Sequence, residues 1–87
     1  MYIIEFIKKI INVTPLDNYK LELIFENESI STIIDILSFI DKGIALELKN
    51  PAFFKQVSIE SGGGIVWPNG YDFCPNFLYE LLNRTKI

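Results

Sequence analysis

Cys74 is the first residue to consider for chemistry. It stands directly before Pro75, which suits the first turn of a helix, and a helix N-terminus lowers the pKa of a nearby thiol. A cysteine nucleophile also needs a base to activate it, and the chain contains no histidine. The competing reading, a small semi-buried residue or helix cap without activity, is the stronger one. Carboxylate pairs are the second option. Glu26 and Glu28 flank one expected turn, and Asp35 and Asp41 bracket an expected helix. A catalytic pair needs one member in a water-poor site that shifts its pKa, whereas acids at turns and helix ends are usually solvated. The run Gly62-Gly63-Gly64 has neither the lysine nor the strand-loop-helix setting of a phosphate loop, and reads as a connection between strands. One cysteine without histidine cannot build the common zinc sites. The expectation is a protein that is not an enzyme, with no catalytic residue, metal ligand or cofactor.

The stretch Trp67-Pro68-Asn69-Gly70-Tyr71-Asp72 looks chosen for more than folding. Tryptophan and tyrosine anchor interfaces because each joins a large apolar area to one polar group. Asn69-Gly70 permits a tight turn, and Asp72 can bond backbone amides within it. Trp67, Asn69, Tyr71 and Asp72 are therefore the candidates for contact with a partner or ligand. The plainer reading is a structural corner, in which Trp67 packs on the core and Asp72 staples the loop.

Around these residues the chain must build a fold from 87 residues, enough for one domain spanning 1–87. Its alternating segments set the frame. Lys9 to Thr14 is rich in β-branched residues and reads as a strand ended by Pro15, with Leu16-Asp17-Asn18 as a turn; residues 2–8 stay open between helix and strand. From Tyr19 to Glu26, Tyr19, Leu21, Leu23 and Phe25 face one way and Lys20, Glu22 and Glu26 the other, broken only by Ile24. Asn27-Glu28 is expected as a tight hairpin turn, with Ser29 to Asp35 as the returning strand. Ile36 to Lys42 suggests one or two helical turns stopped by Gly43, and Ile44 to Lys49 is irregular or a further turn. Asn50-Pro51 is a helix start, with asparagine as cap and proline at the first position, opening a short helix to Lys55. Gln56 to Glu60 alternates, with Val57 and Ile59 inward. Ser61 to Gly64 is then a flexible hairpin loop, and Ile65-Val66-Trp67 the returning strand, ended by Pro68-Asn69-Gly70. Pro75 begins a closing helix to about Asn83, striped by Phe77, Leu78, Leu81 and Leu82. The architecture implied is α+β: a small, mostly antiparallel sheet of hairpins, with short helices and a C-terminal helix on one face.

Composition narrows the partners. Hydrophobic residues make up 49% of the chain, aromatic residues 14%, and fifteen residues are isoleucine. Mean hydropathy is +0.26. A domain this small cannot bury all of that, and exposed apolar surface marks interfaces, so a homodimer or another protein partner is favoured over a monomer. With a net charge of −3 and eight scattered Lys and Arg residues, direct nucleic-acid binding is not expected. The N-terminal stretch is interrupted by Glu5, Lys8 and Lys9 and has no signal-peptide cleavage pattern, no segment reaches membrane-spanning length, and a lone cysteine suits a reducing compartment. A cytoplasmic location is expected.

Three stretches also resemble a known family. They are Asn12-Val13-Thr14-Pro15-Leu16-Asp17-Asn18-Tyr19 running on through Leu21 to Phe25, Asn50-Pro51-Ala52-Phe53-Phe54, and Gly64-Ile65-Val66-Trp67-Pro68-Asn69-Gly70-Tyr71-Asp72 followed by Cys74-Pro75 and Leu78-Tyr79. Together they resemble the opening strands, the Asp-Pro-x-x-Phe helix start and the tryptophan box of the bacterial family called domain of unknown function 2442. The resemblance covers about residues 9–80. It departs at the hairpin, where Asn27-Glu28 replaces a more usual Asp-Gly or Asn-Gly, and in the extension at residues 1–8. The resemblance implies a small α+β protein without established activity. Some members carry a following helix-turn-helix domain, which these 87 residues do not include. It also implies a gene neighbourhood like that of toxin–antitoxin pairs. Two readings follow: a non-catalytic protein-interaction module, an antitoxin-like partner of a neighbouring gene product, or a small-molecule-binding domain with Trp67, Tyr71 and Asp72 lining a cleft.

Overall fold

Leu21, Leu23 and Phe25 fall on one side of an extended chain, and burying them together is what makes a strand of this segment. In the computed structural model, which describes residues 8–84, that strand is the centre of a three-stranded antiparallel sheet. Its members are β1 (Ile10–Leu16), β2 (Lys20–Phe25) and β3 (Thr32–Asp35), in the order β1-β2-β3. The three inward side chains are at most 1% exposed, and Lys20, Glu22 and Ile24 lie half-buried on the opposite face. The register places Pro15, Leu21 and Ile34 in one row on the core side, and Thr14, Glu22 and Ile33 in the next row outside.

Pro15 does not end the first strand. It pairs with Leu21 inside β1, which is tolerated because β1 is an edge strand, where a missing N–H costs no ladder bond on the open side. The β2–β3 connection also differs from the expected tight turn. Pairing begins only at Leu23 and Thr32. A two-residue turn of the favoured kind needs positive φ at both central residues. Asn27 adopts it at 64°, but Glu28 is not among the positive-φ residues and instead pairs with Lys8 at 3.2 Å. The chain turns one residue earlier, with the Glu28 N–H donating to the Phe25 carbonyl at 3.1 Å, and the loop is further held by the Ser31 hydroxyl donating to Glu22 Oε2 at 2.6 Å.

After β3 the chain makes one 3-10 turn (Leu37–Phe39), capped at its start by Asp35 Oδ1, which accepts from the Leu37 N–H at 2.9 Å. Gly43 then opens a second 3-10 segment, Gly43–Lys49, rather than stopping a longer helix. This segment buries Ala45 and Leu48. Asn50 caps the next helix, α1 (Pro51–Phe54), as its residue type requires: Oδ1 accepts from Ala52 N–H at 2.9 Å.

The strands that follow form a second sheet, where the sequence suggests one. β4 (Ser58–Ile59), β5 (Ile65–Val66) and β6 (Asp72–Phe73) pair antiparallel in the order β4-β5-β6. Ile59 does not point inward. It is 39% exposed on the short edge strand β4, while Val57 packs against the core. α2 (Pro75–Arg84) closes the described chain, sending Leu78 into the core and setting Tyr79 edge-on to Phe25 at 5.2 Å. The α+β class, the antiparallel pairing and the terminal helix are thus as expected. The N-terminal stretch lies outside the described residues up to position 7, and among those described no helix is long and apolar enough to cross a membrane.

The loop between β4 and β5 is packed rather than flexible. The Ile10 N–H donates to the Gly63 carbonyl at 2.9 Å, joining the two sheets. A Cβ at Gly63 would lie 2.6 Å from Lys9 Cβ, and the residue's φ is +93°. Gly62 shares the strained backbone, with φ +99°, but has nothing within 4 Å of such a Cβ. Gly63→Ala is therefore expected to cost about 1–3 kcal/mol more unfolding free energy than Gly62→Ala in urea titrations. Equal losses would mean the approach to Lys9 carries no weight.

Candidate functional site

Trp67 leaves β5 and turns inward, with 1% of its surface exposed. A buried indole needs a partner for its N–H. Nε1 donates to the carbonyl of Phe54 at 2.9 Å, at the last residue of α1. The chain then reverses in a tight turn. Gly70 N–H donates to the Trp67 carbonyl and Trp67 N–H to the Tyr71 carbonyl, each at 2.9 Å. Gly70 has φ +93°, a conformation only glycine takes without strain.

Asn69 sits at the tip of this turn and makes three contacts. Its Oδ1 accepts from Tyr71 N–H at 3.0 Å, while Nδ2 donates to the Ile44 carbonyl at 2.9 Å and to Glu47 Oε1 at 2.7 Å. Tyr71 is half-buried, and its hydroxyl donates to the Phe39 carbonyl at 3.1 Å. Partial burial first, and the Asp41 carboxylate second, push the Tyr71 phenol above its ordinary value. The turn is therefore stapled by Asn69 and not by Asp72, because only the tip residue faces the 3-10 segment. Among them, Trp67, Asn69 and Tyr71 fasten the second sheet to α1 and to the 3-10 segments Leu37–Phe39 and Gly43–Lys49.

Around the indole the aromatic rings form one continuous cluster. Trp67 lies 5.9 Å from Phe54, 6.2 Å from Tyr71 and 6.1 Å from Phe73. Phe73 continues to Phe39 edge-on at 5.8 Å and to Phe77 stacked at 6.0 Å. Such contacts contribute about 0.5–1.5 kcal/mol each beyond area burial. The Trp67 ring is inside this cluster, so it offers no surface to a partner or ligand.

Asp72 is the candidate residue that reaches solvent, and it stands beside Glu60. The sequence offers no hint of this pair, since its members are twelve positions apart on different strands of the second sheet region. Partial burial, a carboxyl–carboxyl hydrogen bond to Asp72 and the charge of Asp72 together raise the Glu60 pKa above its ordinary 4.5. The carboxylates singled out by sequence have other partners. Glu28 pairs with Lys8 at 3.2 Å and Asp35 with Lys20 at 3.9 Å, and Glu26 Oε2 accepts from Lys9 N–H at 3.3 Å. Asp41 lies exposed near Tyr71. Cys74 is exposed rather than semi-buried, and its carbonyl accepts from Leu78 N–H at 3.3 Å. Among the described residues no cluster of three or more His, Cys, Asp or Glu side chains is placed to hold a metal.

The concave surfaces lie elsewhere. A depression of about 390 Å³ is lined by Leu16, Asp17, Asn18, Tyr19, Pro51, Phe54 and Lys55. A groove of about 340 Å³ runs between β3 and the far end of α2, and its walls include Ile33, Asp35, Phe39 and Leu81. This groove adjoins exposed apolar side chains. Ile30 is 75% exposed, Ile33 55% and Leu37 44%. Sequence reasoning anticipated exposed apolar surface but not its place, because β3 alternation alone does not reveal which sheet edge stays open.

A model of the protein family of unknown function DUF2442 matches residues 10–83, so the chain belongs to that family. The match spans both sheets and nearly all of α2. No curated protein and no solved structure matches the chain.

Two measurements test the corner. In Trp67→Phe the Phe54 carbonyl loses its buried donor, and the expected loss is about 1–3 kcal/mol by circular dichroism in urea. A loss within error would show the indole N–H to be dispensable. For Glu60, the folded pKa lies above the unfolded one, so its proton stabilises the fold below the unfolded value and that stability is lost as pH rises through the folded value. Glu60→Gln should therefore raise Tm more at about pH 7 than at about pH 4. A uniform shift at both pH values would speak against a raised Glu60 pKa in the folded protein.

Proposed function

We propose that this member of the DUF2442 family is a non-catalytic interaction module that works by binding another protein chain. The observation that carries this reading is the open β3 edge with Ile33 exposed beside an apolar groove. Apolar patches at a sheet edge are liabilities in a monomer and are retained where a partner covers them. Ile11, Ile44, Leu46 and Phe77 add further exposed apolar area, each at 40% or more. The acidic balance of −3 suits a basic partner. In its sharper form the proposal makes the chain the antitoxin-like half of a two-gene pair, with the product of the adjacent gene as its target. It also makes the chain a non-enzyme acting in the cytoplasm.

The alternative, small-molecule binding at Trp67, Tyr71 and Asp72, has less support. Trp67 is sealed in the core, and the concave surfaces described above are lined by other residues.

Co-expression of the untagged neighbouring gene product with the tagged chain tests the proposal. The expected outcome is a stoichiometric complex that survives gel filtration, together with relief of any growth defect the neighbour causes alone. Separate elution and unrelieved growth would overturn the antitoxin-like reading.

A further inference from the structure

Asn69-Gly70 is a chemically reactive pair as well as a turn. An asparagine side-chain amide can be attacked by the backbone nitrogen of the next residue, and glycine, having no Cβ, hinders that attack least. Of the seven asparagines in the chain, Asn69 alone precedes a glycine; the others precede Val13, Tyr19, Glu28, Pro51, Phe77 and Arg84. In the reaction a bond forms between the Gly70 nitrogen and Asn69 Cγ, and the Cγ–Nδ2 bond breaks. The Gly70 N–H proton departs with Nδ2 as ammonia. Water then opens the cyclic imide to aspartate, or to isoaspartate, whose backbone runs through the side chain.

The fold holds every group that this step must change. Gly70 N–H donates to the Trp67 carbonyl at 2.9 Å. Nδ2 of Asn69, the leaving group, donates to the Ile44 carbonyl at 2.9 Å and to Glu47 Oε1 at 2.7 Å. Oδ1 accepts from Tyr71 N–H at 3.0 Å. Ring closure removes the Gly70 hydrogen and expels Nδ2, so it breaks three of these four bonds outright. We propose that Asn69 is a modification site gated by the tryptophan corner. It is inert while the corner is closed, it deamidates when the corner opens, and its product opposes reclosure.

The last point follows from the same contacts. Aspartate at position 69 has no N–H for the Ile44 carbonyl, and it sets a carboxylate against Glu47 Oε1, where Nδ2 now stands at 2.7 Å. Like charges that close repel. Isoaspartate lengthens the backbone inside a turn whose ends are joined by Trp67 N–H and the Tyr71 carbonyl at 2.9 Å. A reversible local opening is thereby made permanent. The segment released is Gly43–Lys49, which already exposes Ile44 and Leu46.

The test follows deamidation of the full chain by peptide mass spectrometry, folded in buffer and unfolded in guanidinium chloride at the same pH. Position 69 should react at least about tenfold more slowly in the folded protein, because only its open fraction reacts. In the unfolded chain it should react faster than any other asparagine. Glu47→Ala takes one acceptor from Nδ2, and should raise the folded rate roughly two- to tenfold while leaving the unfolded rate unchanged. The product is tested separately. Asn69→Asp should lower Tm, and adding Glu47→Gln, which removes the facing charge, should lessen that loss. Equal folded and unfolded rates would overturn the proposal, as would a wild-type folded rate in Glu47→Ala or an unchanged Tm in Asn69→Asp. The comparison of folded and unfolded rates needs the wild-type chain alone, so it decides the matter whether or not a variant folds.

Discussion

Burying an indole obliges the chain to bring an acceptor to its N–H, and here that obligation falls on the carbonyl of Phe54. This bond ties the end of the short helix α1 to the strand β5. It cannot form unless the Asn50 cap has started α1 in the right place and Gly70 has turned the chain back beneath the ring. Strands of two residues are too short to hold a sheet by their own ladder bonds. The second sheet therefore depends on the tryptophan corner more than on its pairing. Asn69 and Tyr71 extend the same logic outward, since each donates to a carbonyl group of a 3-10 segment.

The first sheet is stabilised differently. β2 runs through its centre with three side chains wholly inside, and the β1 and β3 rows complete an aliphatic layer. The two sheets communicate through backbone contacts around Lys9, Ile10 and Gly63, where a side chain at Gly63 would force them apart. No polar or charged residue is buried among those described. The interior is thus a plain apolar core with one satisfied indole, and the polar interest lies at the surface.

That surface is uneven. The tryptophan box, which sequence marks as the point of contact, is turned inward and acts as a fastening. The apolar excess that a small domain cannot hide surfaces instead on the outer side of β3 and along the Gly43–Lys49 segment, where Ile44 and Leu46 are exposed. A sheet edge with outward-facing aliphatic residues and unmatched backbone groups is the part of this molecule with the most to gain from a partner.

Several features were legible in the residues because they depend on neighbours only a few positions away. The alternation of Leu21, Leu23 and Phe25, the Asn50-Pro51 helix start, the Gly70 turn and the Pro75 helix all follow from local geometry and side-chain chemistry. The α+β class follows from their order. What the residues could not decide was which segments meet. The split into two sheets, the strand β6, the outward turn of Ile59, Asn69 rather than Asp72 as the staple, and the Glu60–Asp72 pair all require knowing what lies across the fold. Tyr71 finds its acceptor 32 positions away and Asn69 its two acceptors 25 and 22 away. Burial and hydrogen bonding at such separations are set by how the whole chain closes, and no local pattern encodes that distance.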